Sequence, residues 1–391
     1  MSRRRDSVVS CETQAAARVF TGGRRARLAI PRAAIGLRPP ATLRAPDAVA
    51  CAADADGGRR RVARDQAQHV LAADVGGTHT RIALLRDGER LAEHEAASAG
   101  SGALADILSV FLAAAGHPPL AAACVAIAGP VIDGAVRVTN LPWEVDAAEL
   151  REVLRTPRVR LLNDLEASAF GMLHLPAERF SVLQRGARPA RAGPIVVAAA
   201  GTGFGLAVLA FDGREHHPCA SEAGHAGYAA RTQREIALLR HLQRRHGRVS
   251  IERVVSGPGL AAIHDFLRAE AGAPEPPELR AAPDRSQAIA EAAAARRDPI
   301  CGEALAIFCE SYGAAVGDAA LAHLALGGVW IGGGIAPKIL PSLQSGGFLA
   351  AFLDKGRFRP LLETLPVAVC LAPDTALAGA GRLALRDARA A

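Results

Sequence analysis

The chain has 391 residues, 50% hydrophobic, 22% charged and only 4% aromatic, which is long enough for two domains and normal for a globular protein with an aliphatic core. Its net charge of +7 is unevenly held: residues 1–70 carry 14 arginines and no lysine against six acidic residues, and the remainder has 32 basic against 33 acidic residues. The basicity therefore belongs to the extension and argues against a nucleic acid as partner of the folded body, while the apolar runs fall short of the roughly 18 residues that would span a membrane.

Seven cysteines, at 11, 51, 124, 219, 301, 309 and 370, form no Cys-x-x-Cys pair and no cluster with histidine along the sequence, which suits a reducing, cytoplasmic compartment and argues against a structural zinc site. Residues 1–68 hold Gly22-Gly23, Pro39-Pro40 and Gly57-Gly58 with little periodicity, so composition predicts disorder there. Its Arg-rich composition loosely resembles an organelle transit peptide, a reading that its six acidic residues weaken.

The pattern next predicts strands near 69–75, 81–86 and 90–97. The first runs through Leu71-Ala-Ala-Asp74-Val into Gly76-Gly77-Thr78, a lone carboxylate ahead of a two-glycine turn. Glycines without Cβ atoms let backbone N–H groups approach a polyphosphate, Thr78 adds a hydroxyl, and Asp74 can reach a magnesium ion through water. A helix over about 102–115, strands over 121–128 and 135–139, a helix around 146–155 and a strand over 159–162 follow. That strand ends at Asn163-Asp164, before helical spacing from Leu165 to Leu173. A carboxylate at this carboxyl end can take a proton from a substrate hydroxyl beside Asn163, or it can serve as the N-cap of the helix.

A polar, Arg/Pro/Gly-rich crossover is read over 174–195. The hairpin grammar then recurs: Ile195-Val-Val-Ala-Ala-Ala200, then Gly201-Thr202-Gly203-Phe204-Gly205, then a run to Asp212-Gly213. Repetition suggests an internal duplication whose halves clamp a phosphate chain across a cleft. The remainder reads as largely helical over 233–325, with a surface loop at Pro274–Pro277. Glu222 and His225, three apart, can both face a polyhydroxylated ligand or form a loop salt bridge. Glu252 can add a third polar group or sit as a first-turn helix carboxylate. Gly332-Gly333-Gly334 would let a flat base or ribose approach, or form a tight turn with Pro337 at the first helical position.

In order, Asp74-Val-Gly-Gly-Thr78, Leu162-Asn-Asp164, Gly201-Thr-Gly-Phe-Gly205, Glu222-Ala-Gly-His225, Glu252-Arg-Val-Val-Ser-Gly-Pro-Gly259, Gly332-Gly-Gly-Ile335 and Asp354-Lys-Gly-Arg-Phe358 resemble the bacterial glucokinase family of the hexokinase and actin-like ATPase superfamily. The resemblance runs from about residue 69 to the C-terminus. It implies an α/β fold of two domains, actin-like (ribonuclease H-like), with the ligand cleft between a small domain, 69–174 plus 371–391, and a large one, 175–370.

It further implies phosphorylation of glucose by ATP with Mg²⁺. Asp164 would be the base, Asn163, Glu222, His225 and Glu252 the sugar set, and Gly332 to Gly334 part of the adenosine site. Asp74, Gly76, Gly77 and Thr78, with Gly201, Thr202 and Gly203, would form the phosphate loops, and a homodimer is the expected assembly. Ser221 and Ala223 stand where the family usually has glycine, and His79 where it has asparagine. The absence of cysteine between 219 and 301 sets the chain apart from related kinases with a zinc-binding motif after the sugar-binding histidine. The alternatives are a kinase of the same fold for another hexose or using polyphosphate, and a non-catalytic sugar sensor.

Overall fold

Strand β1 (His69–Val75) is buried on both faces, with Leu71, Ala73 and Val75 in one apolar cluster and Val70 and Ala72 in another. Burial on two sides makes it the centre of a sheet. β2 (His79–Arg86) returns antiparallel, and β3 (Glu89–Ala97) follows through Asp87-Gly88, whose φ angles of 53° and 95° suit a tight hairpin turn. After the helix Leu104–Ala114, β4 (Leu120–Ile127) lies parallel to β1. A small ribbon of β5 (Ala135–Arg137) and β6 (Glu144–Asp146) and the helix Ala147–Leu154 intervene before β7 (Val159–Asn163), parallel to β4. The sheet order is β3-β2-β1-β4-β7.

The second sheet contains β8 (Phe180–Gln184), β9 (Ile195–Ala200), β10 (Phe204–Phe211), β11 (His216–Cys219), β12 (Gly328–Gly332) and β13 (Val367–Cys370), in the order β11-β10-β9-β12-β13-β8. Its first five positions repeat the plan of the first sheet, two antiparallel pairings followed by two parallel ones. The inferred duplication is therefore present in the topology. The structure describes residues 68–98, 102–187 and 191–390, all within the unit Gly57–Ala391, so the disorder predicted for 1–68 falls, Gln68 apart, outside the described residues.

β8 and β11 lie where no strand was expected. Both are edge strands: β8 has no inside–outside alternation, and β11 contains Pro218. The helix Pro299–Ala322 also departs from expectation, since its 24 residues are apolar enough to cross a bilayer by length and composition. Cys309, Tyr312 and Val316 bury it in the core of the second sheet instead, and two-thirds of its apolar window is covered.

Two helices meet between the sheets. A Cβ on Gly171, in the helix Asp164–Met172, would lie 2.1 Å from the Thr375 carbonyl, and one on Gly379, in Thr375–Arg389, would lie 1.8 Å from the Ala167 carbonyl. Only glycine permits this backbone-to-backbone crossing. Around it a single apolar cluster gathers Val70, Ala72 and Ala122 from one sheet and Ile195, Val197 and Ala207 from the other.

Candidate functional site

Both glycine turns end hairpins that emerge from sheet centres. In the first, Gly76 donates its N–H to the His79 carbonyl at 3.0 Å, and Ser98 Oγ donates to the Gly76 carbonyl at 2.7 Å. In the second, Gly201 N–H reaches the Gly203 carbonyl at 2.8 Å, and the Gly201 carbonyl accepts from Gly257 N–H at 2.8 Å. Gly76 and Gly77 are half-buried, Thr78 is exposed, and a Cβ on Gly201 would meet nothing within 4 Å. Gly201 thus presents backbone to open space, whereas a Cβ on Gly76 or Gly77 would meet the His79 carbonyl at 3.3 Å or Asn140 Cβ at 3.6 Å.

Asp74 faces Arg81 across the β1–β2 register, and Arg81 faces Glu95 across β2–β3, giving one polar ladder on a single sheet face. Arg81 bonds Glu95 Oε2 and Asp374 Oδ1, each at 2.8 Å, so the ladder ends on the residue preceding the helix Thr375–Arg389. Burial pushes the Asp74 carboxyl up to about 6; the Asp164 and Asp374 carboxylates add to this rise and Arg81 opposes it. Sequence reading missed Arg81 and Asp374. Register would have exposed the first, but nothing local marks the second.

Asp164 opens the helix Asp164–Met172, one position inside the predicted cap. The cap is Asn163: its Oδ1 accepts from Leu165 N–H at 2.9 Å, and Glu166 Oε2 accepts from Asn163 N–H at 2.9 Å. Asp164 Oδ1 shares the Leu165 N–H at 2.8 Å, and burial raises its proton affinity above the usual carboxylate range. Asn163 Nδ2 also donates to the Gly129 carbonyl at 3.2 Å, which holds the amide across the end of β4.

His225 stands between two carboxylates, with Nε2 3.9 Å from Glu222 Oε2 and Nδ1 4.0 Å from Glu252 Oε1. Glu222 and His225 are exposed and Glu252 is half-buried, so the three form an open polar wall. The salt-bridge alternative describes their spacing, but the third member comes from a separate turn, Ile251–Arg253. Glu252 Oε2 accepts from Phe204 N–H at 3.0 Å, and a Cβ on Gly203 would lie 2.5 Å from that oxygen. The second hairpin therefore touches this wall directly. It also touches the helix of Asp164, since a Cβ on Gly205 would meet Leu165 Cδ2 at 2.7 Å.

A cavity of about 730 Å³, within the range of small-molecule sites, is lined by Gly201, Thr202 and Gly334 together with Asp284, Arg285 and Lys338. Of the triple glycine, only Gly334 lines it. Cβ atoms on Gly332 and Gly333 would collide with Met172 Cε at 2.7 Å and the Ala200 carbonyl at 2.6 Å, so these two serve close packing. Pro337 lies at the third position of the helix Ile335–Lys338, not the first. Asp284, Arg285 and Lys338 were not foreseen, because they come from two separate helix ends.

A five-stranded and a six-stranded sheet that share a five-strand plan, each with a glycine hairpin at its centre, constitute the two-domain actin-like ATPase fold. A glucokinase from an Antarctic psychrotroph superposes with a TM-score of 0.72 at 32% identity, covering 82% of this chain and 100% of that one. The glucokinase of Balamuthia mandrillaris in complex with glucose shares the fold at 22% identity, with a TM-score of 0.70 over 83% of this chain and 95% of its own. A family model described as glucokinase matches residues 71–387, and the glucokinase of Nostoc punctiforme is 39% identical over 338 residues, 81% of this chain and 99% of that protein. The chain belongs to the glucokinase family.

Proposed function

We propose that the chain transfers the γ-phosphoryl group of ATP to the 6-hydroxyl of glucose, with Asp164 as general base. The observation that carries this is the position of Asp164. It follows the carboxyl end of β7, whose Val159, Leu161 and Leu162 are buried, and lies beside the second glycine hairpin, while Asn163 and Glu166 supply the capping box. Burial raises its proton affinity, which makes it a better acceptor of a hydroxyl proton. Asn163, Glu222, His225 and Glu252 would hold the sugar hydroxyls, with His225 able to donate or accept between its two carboxylates.

The donor set also fits ATP and Mg²⁺. Cβ atoms on Gly201 and Gly334 would point into open space beside the large cavity, and Asp74 is a half-buried carboxyl near further carboxylates, a hard-oxygen site that a divalent cation would neutralise. When bound through water at Asp74, Mg²⁺ would offset charge on the phosphoryl oxygens. The peptide groups of Gly76, Gly77 and Thr78 and of Gly201, Thr202 and Gly203 would orient the phosphate chain, and Gly334 would border the adenosine.

The reading divides the molecule into 69–174 plus 371–391 and 175–370, supported by the two sheets and by the packing of Thr375–Arg389 on the first. It also places the protein in the cytoplasm as a homodimer, which sedimentation equilibrium of the full chain tests.

Asp164→Asn decides the central assignment. Asparagine keeps the size and most hydrogen bonding, so glucose should still bind by calorimetry while turnover falls about 10²-fold or more. Turnover within a few-fold of the parent would overturn Asp164 as base. A coupled assay across several hexoses with ATP, GTP and polyphosphate fixes donor and sugar range.

A further inference from the structure

Residues 240–253 contain five arginines and two histidines against one glutamate, within a body otherwise close to neutral. Three of these side chains, Arg245, His246 and Arg253, line a second cavity of about 220 Å³, together with Thr202, Glu252 and Ser256. This lies below the roughly 300 Å³ at which drug-sized ligands begin to fit, so it admits a small ion and no nucleotide. Thr202 and Pro258 line both cavities, so the two share a wall.

Cations in the last turn of Gln233–His246 offset the helix dipole, which explains Arg244 and Arg245 there. It does not explain Arg253, which projects from the separate turn Ile251–Arg253 into the same cavity. Arg245 and Arg253 have no ion-pair or side-chain hydrogen-bond partner among the described residues, as is also true of the exposed Arg151, Arg214 and Arg244, but these two line one cavity together. Both guanidiniums lie close enough to His246 to hold its imidazole toward the neutral form, in addition to the effect of its own desolvation.

The N-terminus of the neighbouring helix is not what attracts charge here. Gly257 N–H goes to the Gly201 carbonyl, Gly259 N–H goes to Ser256 Oγ, and Pro258 has none. The basic segment is also tied down: Arg248 donates to the His225 carbonyl at 2.6 Å, and Ile251 N–H to the Ala226 carbonyl at 2.9 Å. Two unpaired guanidiniums and an imidazole thus converge on a preformed cavity whose only carboxylate, Glu252, turns one oxygen to Phe204 N–H.

We propose that Arg245, His246 and Arg253 form an accessory site for a phosphate dianion, either free or as a phosphomonoester or polyphosphate terminus. Forked guanidinium donors suit such an ion. Because Glu252 shares the cavity, an anion there repels its carboxylate, and occupancy raises the KM for glucose; this consequence alone rests on the proposed role of Glu252.

Calorimetric titration of the full chain with inorganic phosphate, at constant ionic strength, tests the site independently of catalysis. The parent should show saturable binding at millimolar phosphate, and Arg245→Ala/Arg253→Ala should weaken it about tenfold or more, with turnover at saturating substrate unchanged. Arg244→Ala, exposed at the same helix end but outside the cavity, should bind as the parent does. Absence of saturable binding in the parent, equal affinity in the double variant, or equal loss in Arg244→Ala would overturn the site. Glucose 6-phosphate and tripolyphosphate, titrated in the same way, identify the source: the one whose affinity the double variant reduces more is the natural occupant. Equal affinity of the double variant for both, as for phosphate, would again overturn the proposal.

Discussion

β1 reaches its turn through Asp74 and Val75, whereas β9 reaches the equivalent turn through Ala199 and Ala200. Strand order, pairing sense and the glycine turn are the same in both copies, so the scaffold was duplicated and the charge was not. The first hairpin carries its own carboxylate, raised by burial and answered by Arg81. The second draws its acid from a helical region some fifty residues downstream, and Gly203 is the opening through which Glu252 reaches Phe204 N–H. Equivalent turns can therefore divide labour, one supplying charge and the other shaped to admit it.

Asp74→Asn tests the charged side of this contrast and should have the largest effect. If Asp74 holds the cation, steady-state turnover falls by about 10²-fold or more. Stability should move the opposite way. A carboxyl at about 6 in the folded state, above its unfolded value of 3.8, favours folding at low pH, and that contribution is lost as pH rises through the window between these values. The parent should lose melting temperature over that range without magnesium, and the Asn variant should lose less and melt higher at pH 7. A parent profile no steeper than that of the variant would show that Asp74 is not strained by its surroundings.

Gly203→Ala probes the opening. Its Cβ would lie 2.5 Å from the Glu252 carboxylate, so the acid must move, and the KM for glucose should rise about tenfold or more with the fold intact. An unchanged glucose KM would sever the second hairpin from the sugar wall. Gly77→Ala, in the first hairpin, should be milder, because its Cβ meets only Asn140 Cβ at an ordinary 3.6 Å. A KM change of a few-fold, confined to ATP, is expected there; a change in glucose KM as large as that of Gly203→Ala would erase the distinction between the turns.

Most of the plan was legible because the signals were local. An apolar strand running into Gly-Gly-Thr or Gly-Thr-Gly can be read from a dozen residues, and both hairpins lie where those strings put them. Asp164 was legible as a residue but not as a helix position, since Asn163 and Asp164 are equally good caps and only the Glu166 contact decides between them. The gathering of Glu222, His225 and Glu252 was readable from the family resemblance and not from spacing, because a separate turn delivers the third member. Asp284, Arg285 and Lys338 at the large cavity were invisible for the same reason, and the edge strands β8 and β11 lack the alternation that marks a half-buried strand.

The crossing of Gly171 with the Thr375–Arg389 helix sets an order of events during synthesis. That helix is encoded about 200 residues after the one it covers, a delay of roughly 10–40 s at ribosomal speeds of about 5–20 residues per second. Until it docks, the glycine face of Asp164–Met172 is bare and the apolar cluster joining the two sheets lacks Leu377, Ala380 and Leu383. The nascent chain can complete the second sheet's core before the first is sealed. A ribosome-bound intermediate should therefore expose Asp164's helix to protease while Pro299–Ala322 is already protected.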